Sequence, residues 1–454
     1  MNVHFIAIGG SAMHNLAIAL KKKGIHVTGS DDEIFEPAKS RLQKYGLLPA
    51  QEGWDPDKIT KEIGSIILGM HARADNPELL RAQEQDIKVF SYPEFLYEQA
   101  RDKQRIVIGG SHGKTTITAM ILHVLKSVGR DCDYMVGAQL EGFEVMVKLT
   151  ESAPIMIFEG DEYLTSPIDR RPKFHLYMPD IALISGIAWD HMNVFPTFEN
   201  YCDQFRIFAS LVSKNGKLIY CLEDKVVVDA IHSADPSVEL IGYGIPEYSL
   251  SSGITSLITA VGNIPLKIFG HHNLLNLSGA FEVCRQLNIA DADFYKAIGS
   301  FNGASNRLES IGKNEHTRIF RDFAHSPSKL QATAKAVKGQ FPDKFLVACM
   351  ELHTYSSLSQ AFLEQYRETM DAADLPIVYF NPHALTIKKL PPLDPEQIKK
   401  AIGRPDLLVF TDSKLLTNFL LNYGWKNKNL LMMSSGDFGG LDVKSFANQL
   451  LALA

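Results

Sequence analysis

Lys114 and Thr115 close the run Ile106-Val-Ile-Gly-Gly-Ser-His-Gly-Lys-Thr-Thr116, in which an apolar strand gives way to a glycine turn and then to a helix. Such a turn lets the backbone N–H groups of Gly110, Ser111, His112 and Gly113 converge on anionic oxygens. The helix N-terminus adds partial positive charge, Lys114 a full one, and the Thr115 hydroxyl can ligate a phosphate-bound magnesium. The chemistry these residues suit is that of a nucleoside triphosphate. The commonest form of the motif would place its first glycine at Ile108; here the turn is one residue shorter, Gly109-x-x-x-Gly113-Lys114.

Carboxylates and amides stand at further strand and helix ends. Pro154-Ile-Met-Ile-Phe158 is a short apolar strand that delivers Glu159, Asp161 and Glu162, and a carboxylate there can hold a metal opposite Thr115. Asp180 to Ile187 reads as a buried strand followed by Asp190-His191, a second candidate metal ligand. In Gly270-His-His-Asn273-Leu-Leu-Asn276, His272 is followed by two amides one helical turn apart, suited to an adenine edge; capping explains Asn273 equally well. Arg307-Leu-Glu309 and Arg321-Asp322-Phe-Ala-His325-Ser-Pro327 come in quick succession, with Asp322 and His325 between a strand and a helix. At the amino terminus, Gly9-Gly10-Ser11-Ala12 turns a strand into a helix, with Asp31 at a plausible distance for a ribose. Ala7 and Ala12 stand where a dinucleotide fingerprint wants glycine, so the residues support a nucleotide diphosphate and no more.

These residues need α/β scaffolding. Residues 3 to 8, 12 to 23 and 25 to 28 read as strand, helix and strand, a βαβ opening. Beyond residue 305, strands at 318–320, 345–350, 377–380, 407–410 and 430–433 alternate with helical stretches at 328–338 and 359–372, which argues for a largely parallel sheet. A chain of 454 residues should split into several domains. The boundaries expected are 1–103, 104–304 and 305–454, set by the charged stretch 98–105 and the small polar cluster 301–306.

With 45% hydrophobic and 22% charged residues, a net charge of −6 and five scattered cysteines, the chain has the composition of a globular protein. It offers no basic surface for nucleic acid, no disulfide framework and no zinc pattern. The absence of a long apolar run and of a secretory start points to a reducing cytoplasm and no membrane partner.

Taken in order, Gly110–Thr116, Glu159–Glu162, Asp190-His191, Gly270–Asn276, Arg307–Glu309 and Asp322–Pro327 resemble the motifs of the Mur ligases, the ATP-dependent amide ligases of peptidoglycan assembly. The resemblance covers essentially the whole chain. It implies an α/β protein of three domains: an N-terminal Rossmann-like UDP-binding domain, a central P-loop ATPase-like domain and a C-terminal Rossmann-like domain. It implies ATP and Mg2+, with Lys114, Glu159, His191, Arg307 and Asp322 carrying the reaction. Thr115, Glu159 and His191 would serve the metal, and Gly110 to Thr116, His272, Asn273, Asn276, Arg307 and Asp322 the nucleotide. Gly9, Gly10, Ser11, Met13, Ser30, Asp31 and His325 would meet the other substrates, UDP-N-acetylmuramate and a peptide or amino acid. Within the family, Phe158–Tyr163, Ile168–Phe174 and Met433–Gly440 are most similar to the murein peptide ligases, which use a tripeptide; the branch that adds L-alanine is the alternative, and a P-loop kinase or nucleotide sensor is the reading from another class. Two departures stand out. Ser185-Gly-Ile-Ala188 lacks the asparagine that usually precedes Asp-His, and Asn193 replaces an aspartate. No lysine occurs between Asp190 and Lys214, so no carbamylated lysine is expected.

Overall fold

A computed structural model describes residues 2–138, 143–192, 194–234, 236–304 and 307–453. They fall into two compact units, one of residues up to Gly244 with Ser278–Phe294, the other of Ile245–Leu277 with residues from Tyr295 onward. Asn193, Ser305 and Asn306 lie outside the described residues.

The first unit contains two sheets. The amino-terminal sheet runs His26–Ser30, Asn2–Ile6, Ser65–Leu68, Val89–Ser91, all parallel. The larger runs Glu239–Tyr243, Lys217–Cys221, Ile181–Ile184, Gln104–Gly109, Ile155–Glu159, Asp133–Met135, Val147–Lys148, and among the pairs formed only the last is antiparallel. The strand Gln104–Gly109 has Ile155–Glu159 on one side and Ile181–Ile184 on the other, so strand order reverses across it. That reversal opens a crevice at the strands' carboxyl ends, where α/β sheets bind ligands. Gly110, Gly160 and Ser185 begin the three loops that line it.

The helix Phe198–Ser210 shows how the core is built. Thr197 caps it, its hydroxyl accepting from the Asn200 N–H at 3.2 Å, and Tyr201, Cys202, Phe205, Phe208 and Ala209 form one buried stripe. Phe174 stacks on Phe208 at 4.5 Å between centroids and meets Phe205 edge-on at 5.4 Å. This packing stands directly behind the phosphate loop, since a Cβ on Gly109 would lie 3.1 Å from Phe208.

The second unit has a sheet ordered Glu309–Lys313, Arg318–Asp322, Lys428–Met433, Phe345–Leu352, Leu375–Phe380, Leu408–Phe410, parallel except for its first strand. It also has a three-stranded antiparallel sheet, Tyr248–Ser251, Ile254–Thr259 and Gly262–Pro265, that the sequence reading did not anticipate. One expected helix is corrected. Within 359–372 only a 3-10 segment, Gln360–Tyr366, forms. Glu368 takes φ 63 and gives its N–H to the Ile402 carbonyl, so tertiary pairing overrides the helical pattern.

Among the described residues no helix is long and apolar enough to cross a membrane.

Candidate functional site

The loop Gly110–Gly113 turns on two backbones that favour glycine. Gly110 has φ 133 and Gly113 φ 80. A Cβ on Gly110 would collide with the Ser185 hydroxyl, which itself donates to the His112 carbonyl, the Gly109 carbonyl at 3.2 Å being the longer option for its one hydrogen. A Cβ on Gly186 would run into the His112 ring. The loop therefore fits against the end of Ile181–Ile184 only because its crossing points carry no side chain. Gly113 ends the turn and the helix Lys114–Ser127 begins with no side-chain cap, which leaves its first N–H groups for an anion. Thr115 and Thr116 are buried in the first turn.

Around Lys114 the structure gathers a compact polar cluster. Its Nζ lies 2.6 Å from Glu162 Oε2 and donates to the Gly110 carbonyl at 2.5 Å. Burial acts to lower the lysine's pKa, and the charges of Glu162, Asp161 and Glu159 outweigh it, so the ammonium is held above its ordinary value. Thr115 donates to Glu159 Oε1 at 2.7 Å, and the Gly137 N–H donates to Glu159 Oε2 at 2.7 Å. Asp161 pairs with Lys173 at 2.5 Å; burial would raise its pKa, yet Lys173 and Lys114 hold it well below the usual carboxylate range. His191 adopts φ 54, with its N–H on Asp190 at 2.8 Å, and its Nε2 lies 3.9 Å from Glu162 Oε1.

Of the three residues expected at a metal, the structure joins Thr115 and Glu159, and gives His191 a contact with Glu162. One hydroxyl and one carboxylate fit a magnesium ion carried on phosphate oxygens, which takes few protein ligands. Among the described residues no cluster of three or more His, Cys, Asp or Glu could hold an ion by itself.

The other expected positions divide by role. Asp31 Oδ2 accepts the Gly9 N–H at 2.6 Å and its Oδ1 the Asp32 N–H at 3.0 Å, while Ser30 is fully buried and its carbonyl accepts from Ala7 and Ile8. Burial, opposed by the Gly9 N–H and assisted by Asp32, pushes Asp31 up to about 6. Gly9, Gly10 and Ser11 thus lead into the helix Ser11–Lys22 on a loop clamped by Asp31, with Met13 buried beneath and no side chain capping the helix. In the second unit, His272, Asn273 and Asn276 lie in the first two turns of the helix His271–Gln286. Both asparagines are buried, and Asn273 Nδ2 donates to the Phe269 carbonyl at 3.0 Å.

Arg307 stacks over the Phe323 ring at 4.6 Å, and His325 Nδ1 bonds the Phe323 carbonyl at 2.9 Å. Asp322 accepts the Leu308 and Ala324 N–H groups, each at 2.6 Å, one on each oxygen. Its expected duty toward a nucleotide is therefore joined to a structural one.

Asp322 supports a prediction about stability. Burial, opposed by Arg307 and the two N–H groups, raises its pKa to about 6. The native state then binds more protons than the unfolded chain between about pH 4 and 6, so this group's contribution to stability falls as pH rises through that window and is flat above it. Asp322→Asn should remove that slope. It should also lower stability at neutral pH by about 1–3 kcal/mol, because an amide has one accepting oxygen for two N–H donors. Denaturant titrations of both proteins between pH 4 and 8 test this, and parallel curves would refute it.

Two residues to which the sequence assigns no site role reach into the lysine cluster. Lys173 binds Asp161, and the Tyr201 hydroxyl lies 3.1 Å from Glu162 Oε1. Tyr201 sits on the apolar stripe of its helix, where a sequence pattern marks it as core.

The comparisons with known proteins agree with this architecture. The family model of the Mur ligase middle domain matches residues 108–284, and that of the Mur ligase family catalytic domain residues 2–104. A UDP-N-acetylmuramate–L-alanine ligase of Caldicellulosiruptor bescii is 30% identical over 82% of this chain and 82% of its own. A UDP-N-acetylmuramate–L-alanyl-gamma-D-glutamyl-meso-2,6-diaminoheptandioate ligase of Escherichia coli is 26% identical over 98% of this chain and 97% of its own. The crystal structure of a UDP-N-acetylmuramate–alanine ligase from Thermotoga maritima shares the fold with a TM-score of 0.71 at 19% identity, covering 100% of this chain and 98% of that one. With its phosphate loop, its parallel sheets and these matches, the chain belongs to the Mur ligase family of ATP-dependent ligases, which form a C–N bond.

Proposed function

We propose that the chain joins the carboxylate of UDP-N-acetylmuramate to the α-amine of L-alanyl-γ-D-glutamyl-meso-diaminopimelate, through an acyl phosphate. The observation that carries the ATP half is the pairing of Lys114 with Glu162 and of Thr115 with Glu159 at the reversal of strand order. The tripeptide half rests on Phe158–Tyr163 and Ile168–Phe174, the two ends of one loop, and on Met433–Gly440, all of which resemble the murein peptide ligases. That loop is folded as one unit, with a bridge between Leu164 and Pro172 and the ion pair of Asp161 with Lys173. The number of L-alanine ligases among similar proteins favours the second reading, L-alanine as the amine.

A carboxylate is a poor acyl donor in water. In the proposed reaction a muramate oxygen attacks the γ-phosphorus, the bond to the β-phosphate bridging oxygen breaks and ADP leaves. The amine then attacks the acyl carbon, loses a proton, and phosphate departs with the C–O bond. Two anions must approach in the first step, so the ammonium of Lys114 and the helix N-terminus at Gly113 would neutralise the β- and γ-phosphates. Thr115 and Glu159 would hold a magnesium ion, which supplies further charge neutralisation when bound. His191, whose Nε2 lies 3.9 Å from Glu162 Oε1, would offer that ion a further ligand. Asn273 and Asn276, beside His272, would take the adenine, Arg307 and Asp322 the phosphates and ribose, Gly9 to Met13 with Ser30 and Asp31 the uridine diphosphate, and His325 the amine substrate.

Purified protein incubated with ATP, magnesium, UDP-N-acetylmuramate and either the tripeptide or L-alanine should yield a product of tripeptide mass and little of the other. Coupling to L-alanine alone would overturn the tripeptide assignment and leave the ligase.

A further inference from the structure

Glu162 divides its two oxygens. Oε2 holds Lys114 at 2.6 Å, and Oε1 faces the Tyr201 hydroxyl at 3.1 Å. A carboxylate paired with an ammonium only accepts hydrogen bonds, so Tyr201 must be the donor. Its single hydrogen is then spent, and Tyr201 accepts from Ser111, whose Oγ lies 2.9 Å away. The carbonyl of Gly186, at 3.4 Å, is the longer option for that hydroxyl. Ser111 Oγ in turn accepts the Ala188 N–H at 2.8 Å. The bonds run in one direction, from Ala188 through Ser111 and Tyr201 to Glu162, and link the loop before Asp190-His191 to the phosphate-loop lysine. Every side chain in this path is buried, where hydrogen bonds polarise one another. Burial and the Glu162 charge hold the Tyr201 phenol well above its ordinary value, so it stays a donor across the working range of pH.

We propose that Tyr201 is a positioning residue for Lys114: by occupying one oxygen of Glu162 it leaves that carboxylate a single oxygen for the ammonium, which stays free to move onto a phosphate. Without the hydroxyl, Oε1 would keep only the more distant His191 Nε2, at 3.9 Å, and would turn to the lysine, tightening a pair that competes with the triphosphate. This rests on the reading that Lys114 meets the phosphates of ATP.

Tyr201→Phe removes one oxygen and keeps the ring contacts with Phe195 and Phe205, each 5.3 Å between centroids. A hydrogen bond to a charged group is worth about ten-fold in an equilibrium constant. Calorimetry with magnesium and a non-hydrolysable ATP analogue should therefore show about ten-fold weaker binding. KM for ATP should rise in step and KM for the muramyl substrate stay unchanged. Phe205→Leu, on the same helix with the hydroxyl intact, should lower the melting temperature and leave analogue binding as it was. Tyr201→Phe binding the analogue as tightly as the wild type, or raising both KM values together, would overturn the inference alone. A wild-type protein that does not bind the analogue would overturn the triphosphate reading and this inference with it.

Discussion

Lys114→Met is expected to keep the fold and to form ADP at least about a thousand-fold more slowly than the wild type, because loss of even one neutral donor to developing charge costs about 10²–10³ in rate and here a full charge is removed. The substitution has a second effect that separates it from a surface change. Glu162 is only 2% exposed and would lose its ion-pair partner in a dry setting. Removing one member of a buried pair costs about 3–5 kcal/mol, so the melting temperature should fall. Adding Glu162→Gln removes the stranded charge and keeps an acceptor for Tyr201. The double variant should regain most of the melting temperature and none of the turnover. Quenched-flow measurement of ADP, beside a thermal melt of each variant, distinguishes the two effects. A Lys114→Met protein with more than a tenth of wild-type turnover would remove the lysine from the chemistry.

What could be read in the sequence was local. The run Ile106–Ile108, the glycines that follow it and the helix after Lys114 lie in one stretch, so strand, turn and helix were legible together. The same holds for the alternating segments beyond Arg318. Partners brought together from afar were not legible. Lys114 meets Glu162 across 48 positions, Tyr201 meets Ser111 across 90, and no periodicity predicts either. Other contacts changed the meaning of residues that had been noticed. Asp31 and Asp322 stand at strand ends, where a carboxylate suggests a ligand; each spends one oxygen on a backbone N–H of its own loop and the other on one brought in from an earlier segment, Gly9 and Leu308. The small antiparallel sheet does carry a local signal. Ser252 and Gly253 have φ 50 and 73 between two short strands, the two-residue turn with positive φ that joins hairpins, and a serine-glycine pair there announces the small antiparallel sheet.

Glu159 carries the other large effect. It is buried, and its two oxygens serve different partners, Thr115 on one side and the Gly137 N–H on the other, both at 2.7 Å. A glutamine in its place has one accepting oxygen, and the Gly137 N–H has a claim on it, because an amide NH2 turned toward that N–H would set donor against donor. The NH2 group must then face Thr115, whose hydroxyl can accept from it. Glu159→Gln should accordingly fold, with a melting temperature within a few degrees of the wild type. The negative charge beside Thr115 is gone, and an NH2 group points where a hard cation needs oxygen. The magnesium concentration needed for half-maximal binding of a non-hydrolysable ATP analogue should rise by about ten-fold or more. Ligation should slow by at least about a hundred-fold, the scale of removing one group that stabilises developing charge. Titrating magnesium against analogue binding tests the first expectation without relying on turnover. A variant with unchanged magnesium dependence and a rate within two-fold of wild type would reduce Glu159 to an anchor for the loop at Gly137.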